Sequence, residues 1–233
     1  MRLRSPLIFL AVISLAIAGS ASAASWTDTQ IDWPGYSGDP RDVIGIPEIT
    51  GGTYVIEGKA LSAITIDILA KPSGFWPQLA PGDLFLDMNA DQIWDYFVDT
   101  DLATAEGDYS LYEIAADVTN PALYDLGSDF FASGSRGYHP VSLKDGVDRT
   151  DTGRTVHMSA FDNTNPAGME NRQLVFSGIG IDLEASPFYF GFTVNCANDV
   201  VYEPGPGVPE PGTLLLLGTG LVGLVGLRRR RQS

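Results

Sequence analysis

A chain of 233 residues with 29 acidic and 14 basic side chains carries a formal charge of −15, with most arginine crowded into the two ends. Such a balance excludes a nucleic-acid binder, which needs Lys/Arg stripes, and disfavours adhesion to an anionic membrane surface. With one cysteine, Cys196, no intrachain disulfide can form, so the apolar core must hold the fold.

The first segment reads as an export signal. Arg2 and Arg4 form a charged start, residues 7–18 are apolar, and Ala21-Ser22-Ala23 offers small side chains at a cleavage site. Signal peptidase is expected to cut between Ala23 and Ala24, so residues 1–23 are a signal peptide. Residues 24–50 are rich in Asp, Pro and Gly around Trp26 and Trp33, and read as loop with room for one strand. Strand patterns begin at residues 54–56. Residues 61–69 set Ile64, Ile66 and Ile68 against Thr65 and Asp67, the period of two that a half-buried strand requires. Further strands are predicted over 83–86, 93–98 and 111–115. The stretch 119–153 is long and turn-rich, without strong periodicity. The last strands are expected over 156–161, 173–183 and 188–194, with Cys196 following as a small buried hydrophobe. Helical periodicity is weak throughout. The body, residues 24–202, is therefore expected to be all-β, a two-sheet sandwich of jelly-roll type. A stiff Pro/Gly linker is expected over 203–207.

Residues 208–233 form a three-part tail. Val208-Pro209-Glu210-Pro211-Gly212 comes first, then an uncharged run over 213–227, then Arg228, Arg229, Arg230 and Arg231 before the end. A helix over the apolar run spans roughly 22 Å at ~1.5 Å per residue, short of a ~30 Å hydrocarbon core, so it inserts with local thinning and snorkelling flanks. The four arginines keep that flank cytoplasmic and place the body on the other side. Between the two end segments stand 28 acids against 8 bases, a formal charge of −20, since six of the 14 basic residues and only Glu210 of the 29 acids lie in those ends.

The order and spacing of the three parts resemble a PEP-CTERM sorting signal. The resemblance implies recognition by an exosortase near Pro209, Glu210 and Pro211 and transient residence in the inner membrane. It further implies delivery to the cell surface or extracellular matrix of a Gram-negative bacterium that makes extracellular polysaccharide. Asp83-Leu84-Phe85-Leu86-Asp87 with Trp94-Asp95-Tyr96, and Asn195-Cys196-Ala197-Asn198-Asp199, also resemble blocks in the bodies of other exosortase-dependent surface proteins, which implies no catalytic role.

One constellation in the body carries chemistry. Asp87, Asn89, Asp91 and Asp95 place side-chain oxygens at positions 1, 3, 5 and 9 of a short loop, and Ile93 at position 7 offers its carbonyl while its side chain enters the next strand. Ca²⁺ takes six to eight such oxygens at about 2.3–2.6 Å. The spacing resembles the calcium loops between strands of extracellular repeats. Gln92 stands where those loops have Gly, and Val98 where an EF-hand has Glu, so a modest affinity is expected; Asp99 and Asp101, just beyond, are candidates to complete the shell. The competing reading is an acidic turn, in which Asp and Asn simply favour the geometry.

No nucleophile-elbow, zinc-protease or Walker-type phosphate-loop motif is present, and only His139 and His157 could serve as imidazole bases. A non-catalytic protein is expected; a secreted polysaccharide-acting enzyme using the same sorting signal is the alternative, because carboxylate pairs cannot be resolved among so many acids. Trp76 and Tyr138, in turn-rich stretches, are candidates for stacking on extracellular polysaccharide.

Overall fold

The computed structural model describes residues 21–29, 46–70, 80–102, 106–114, 123–126, 140–164, 170–183 and 187–205. Twelve strands are present and no helix occurs among these residues. They are β1 (Ala21–Trp26), β2 (Glu48–Glu57), β3 (Ala60–Ala70), β4 (Leu84–Asp87), β5 (Tyr96–Asp99), β6 (Gly107–Ile114), β7 (Tyr124–Leu126), β8 (Pro140–Leu143), β9 (Arg149–Thr164), β10 (Glu170–Asp182), β11 (Phe188–Thr193) and β12 (Val200–Gly205).

The all-β class holds, but in place of the expected jelly-roll sandwich of two facing sheets one large sheet takes nearly all the strands. Ten strands form one continuous antiparallel sheet in the order β1-β2-β3-β10-β9-β6-β5-β4-β11-β12, and β7 with β8 forms a small second sheet. The large sheet curls until its two ends face each other. Trp26 of β1 meets Phe190 of β11 edge-on at 4.9 Å, and Tyr54 of β2 meets Phe188 at 5.8 Å. Curling resolves the cost of two long edges, because an unpaired strand row exposes amides and carbonyls.

The seam between the ends is closed by carboxylates instead of a ladder. Glu203 of β12 accepts from the Thr29 backbone N–H and, at 2.9 Å, from its hydroxyl. Asp199 accepts from the Ile49 N–H. Asn198 Nδ2 donates to the Ile46 carbonyl at 3.0 Å. Glu203 is only 4% exposed, so residues 203–205, expected to be linker, are in fact part of a buried last strand. The Glu-Pro-Gly composition that suggested a linker hides a strand because its polar side chain serves the seam.

The alternation in β3 holds: Leu61, Ile64, Ile66 and Ile68 are buried in the main core, between half-exposed Thr65 and Asp67. Strands β4 and β11 are buried on both faces, which is why they read as unbroken apolar runs. Leu84 and Leu86 enter the main core, while Phe85 faces a second cluster with Trp94, Phe97, Tyr124, Leu143 and Tyr202. Tyr124 and Leu143 come from the β7–β8 pair, so the turn-rich stretch 119–153, for which the sequence predicts no strand, supplies both that lid and the start of β9. Cys196 is half-buried and packs on the main core, as a small hydrophobe would.

In β10, Ser177 and Ile181 pair with Ala63 and Leu61, leaving two extra residues in a bulge. Gly178 and Gly180 take positive φ there (81° and 63°), a conformation that costs little without a Cβ.

Candidate functional site

The loop from Asp87 to Asp95 joins β4 to β5. Asp87 ends β4 with no exposed surface. Its Oδ1 accepts from the Ala90 N–H at 2.7 Å and the Asn89 N–H at 3.3 Å, and its Oδ2 from the Gln92 N–H at 2.9 Å. Asn89 Oδ1 accepts from the Asp91 N–H at 3.0 Å, and Asp91 Oδ1 from the Ile93 N–H at 2.9 Å. Asp95 closes the base: its Oδ2 accepts from the Met88 N–H at 2.7 Å, and its own N–H donates to the Leu86 carbonyl at 2.9 Å. The spacing thus does bring Asp87, Asn89, Asp91 and Asp95 into one turn. Burial pushes the Asp87 carboxyl above the usual carboxylate range, the Gln92 and Ala90 amides pull it back, and Asp91 adds repulsion.

Two features of this loop differ from the sequence reading. Ile93 does not lead into the next strand: β5 begins at Tyr96, and the Ile93 side chain is 37% exposed. Trp94 is the residue that turns inward, 5.7 Å from both Phe85 and Tyr202. Asp99 does not join the loop; it pairs with Arg149 at 3.3 Å, whose guanidinium lies over Phe97 and Tyr112 at 5.6 and 4.9 Å. The missing glycine leaves its mark, since Gln92 adopts φ 69° and Ala90 φ 62°, a region that costs an ordinary residue about 1–2 kcal/mol.

Could the loop hold a cation? Its oxygens are the hard donors Ca²⁺ selects, and an ion would offset the repulsion between Asp87 and Asp91. Against this, the carboxylates are turned toward the loop's own amides. Among the described residues no three His, Cys, Asp or Glu side chains converge as a metal-holding group. Beside the loop, Asp95, Glu113 and Asp182 line a recess of about 130 Å³ with Met88, Tyr96 and Ile114.

A second acid, which the sequence reading passed over as an ordinary strand start, is Asp83. It is 1% exposed. Its Oδ1 accepts from the Thr100 N–H at 3.0 Å and hydroxyl at 3.3 Å, and its Oδ2 from the Leu143 N–H at 2.9 Å. One carboxyl thereby ties the start of β4 to the end of β5 and to β8. Burial pushes its pKa up to about 7, with repulsion from Asp99, against the pull of the Leu143 and Thr100 hydrogen bonds. The only hint in the sequence is its place after Pro81-Gly82, where a chain turns inward.

His157 lies exposed on β9, its Nδ1 2.8 Å from Asp108 Oδ1 across the β6–β9 pairing. Ser177 stands opposite on β10, yet its hydroxyl donates to the His157 backbone carbonyl at 3.3 Å. This acid–imidazole–hydroxyl row therefore makes a surface side-chain hydrogen bond and a side-chain-to-backbone bond, not the hydroxyl-to-imidazole bond of an activated nucleophile.

Beyond β12, residues 207–231 match the family model of the PEP-CTERM protein-sorting motif. The chain carries a PEP-CTERM sorting motif. No curated protein and no solved structure matches it. The PEP-CTERM motif implies exosortase-dependent sorting, by way of the membrane, to the cell surface or exterior. Its start follows β12, which ends at Gly205, almost directly. Pro209, Glu210, Pro211 and Arg228, Arg229, Arg230 and Arg231 lie outside the described residues, as do Trp76, Tyr138, His139 and the apolar runs at both ends. Among the described residues, no helix is long and apolar enough to cross a membrane. Ala23 and Ala24, the expected cleavage pair, are consecutive residues of β1, opposite Val55 and Tyr54.

Proposed function

We propose that this protein is a non-catalytic domain displayed on the surface or in the extracellular matrix of a Gram-negative bacterium. It is exported by a signal peptide, held briefly in the inner membrane by its C-terminal helix, and processed by an exosortase. The observation that carries this reading is the PEP-CTERM motif at 207–231 abutting the last strand of a β body. Cleavage after Ala23 leaves Ala24, Ser25 and Trp26 still opposite Tyr54, Thr53 and Gly52, so the curled sheet keeps the inner half of its first strand.

The test is the intact mass of the protein recovered from native envelope and matrix, in a wild-type host and in one lacking the exosortase. A mass beginning at Ala24 and ending near Pro209-Glu210-Pro211, seen only when the exosortase is present, is expected. A mature species that still holds Arg228 to Arg231 would make the tail a plain anchor and overturn the reading.

Calcium is the cofactor this reading favours, bound at the Asp87, Asn89, Asp91, Ile93 and Asp95 loop. The support is the donor spacing and the repulsion between Asp87 and Asp91 that an ion relieves. The expected result is a higher melting temperature in millimolar Ca²⁺ than in EDTA, a difference abolished by Asp87→Ala with Asp91→Ala. Identical wild-type melts would retire the site. Association with extracellular polysaccharide through Trp76 and Tyr138 belongs to the same reading. It predicts that Trp76→Ala reduces co-sedimentation with the host polysaccharide.

A further inference from the structure

Away from the acidic loop, the outward face of β2, β3, β10 and β9 carries a row set by register. Phe161 of β9 stands opposite Gln173 of β10, which stands opposite Asp67 of β3. Gln173 Nε2 donates to Asp67 Oδ1 at 2.7 Å, and the Thr50 hydroxyl donates to the Asp67 backbone carbonyl at 3.2 Å. The Phe161 ring is 57% exposed on this face. With Asn171 and Arg172, these residues line a concavity of about 500 Å³. A single exposed apolar side chain is ordinary and calls for no explanation. This ring is different, because it ends a row of interlocked amide and carboxylate groups and borders a hollow of ligand size.

We propose that this concavity is a binding site for a neutral saccharide. A pyranose presents an apolar C–H face and a rim of hydroxyls. The Phe161 ring matches the first as a flat apolar platform, and the Asp67 and Gln173 head groups, each fixed by the other, present acceptors and donors to the second. Preorganisation matters here, because side chains already held in place lose less freedom on binding. The ligand's charge follows from the chain's: a body with 28 acids against 8 bases repels uronate- or sulfate-bearing polymers, and among the described residues the one cation lining the site, Arg172, is 9% exposed. The site deepens the surface-display reading by naming a face and a ligand class, and rests on it only for the place where such a glycan is met.

The experiment is an array of neutral and acidic oligosaccharides probed with the full-length chain in a non-glycosidic detergent, followed by titration of the tightest ligand. Binding to neutral glycans is expected. It should fall at least tenfold in Phe161→Ala and in Gln173→Ala, hold in Phe161→Tyr, and be unchanged in Thr155→Ala, which removes an exposed side chain farther along β9. Absence of wild-type binding to any neutral glycan, preference for acidic ones, or undiminished binding by Phe161→Ala would each overturn the site. None of these outcomes touches the envelope masses, so failure here is separable from failure of the sorting reading.

Discussion

At the residue scale, two side chains hold conformations or charges that the body must accommodate. Gln92 sits at φ 69° where the related loops carry glycine. Gln92→Gly is expected to leave stability unchanged or raise it by up to about 1 kcal/mol, measured by denaturant unfolding, because relief of the left-handed strain competes with a freer unfolded chain. The strain was readable in the sequence as the absence of that glycine. Asp83 was not readable, since its meaning comes from Thr100 and Leu143, residues distant in sequence that only the fold brings near. Its folded pKa, about 7, lies above the unfolded value near 3.9, so the native state holds the proton more tightly. The stability it contributes is therefore full below about pH 4 and lost as pH rises toward 7, at no more than about 1.4 kcal/mol per pH unit. Asp83→Asn cannot titrate. The stability of wild type relative to that variant should thus be greater at pH 5 than at pH 8, and a difference that is flat with pH would contradict the assignment.

At the element scale, the strands with a period of two were legible and those serving two cores or a seam were less so. Residues 61–69 alternate because one face is wet, and β3 lies where expected. By contrast β12 buries Glu203, a residue that looks like linker until Thr29 is placed against it. Glu203→Ala removes the acceptor of the Thr29 N–H and hydroxyl and should cost about 1–3 kcal/mol in urea unfolding. A tighter constraint lies at Gly82, threaded between β8 and β11, with its N–H donating to the Thr193 carbonyl at 2.8 Å. A Cβ there would meet the Val141 and Thr193 carbonyl oxygens at 2.4 and 2.5 Å. Both are backbone atoms that cannot swing away. Gly82→Ala is expected to cost about 3 kcal/mol or more, and a melting temperature like wild type would show that the two strands can part. The continuous sheet itself could not be read from the chain, because an alternating strand reports which face is dry and not whether its neighbours belong to one sheet or two.

At the scale of the whole molecule, the address was the most legible part and the body's partners the least. A sorting motif is read locally by an enzyme, so its order and spacing survive as sequence. A binding face is assembled from strands far apart in the chain: Gln173 and Asp67 touch across 106 positions. The seam spans still more, joining Thr29 to Glu203 across 174 positions and Ile49 to Asp199 across 150. Sheets built on such distant pairings close slowly, since the chain loses its freedom before the long-range contacts repay it. For an exported chain this sets a schedule. The thread emerges with its N-terminal strands first, and they wait, because β3 needs β10 and the first end of the sheet needs β12. The strand that shuts the curl comes out last, only about eight residues ahead of the apolar tail at Thr213, a reach of at most ~28 Å of extended chain. The moment at which the curl can first shut is therefore also the moment at which the sorting signal arrives.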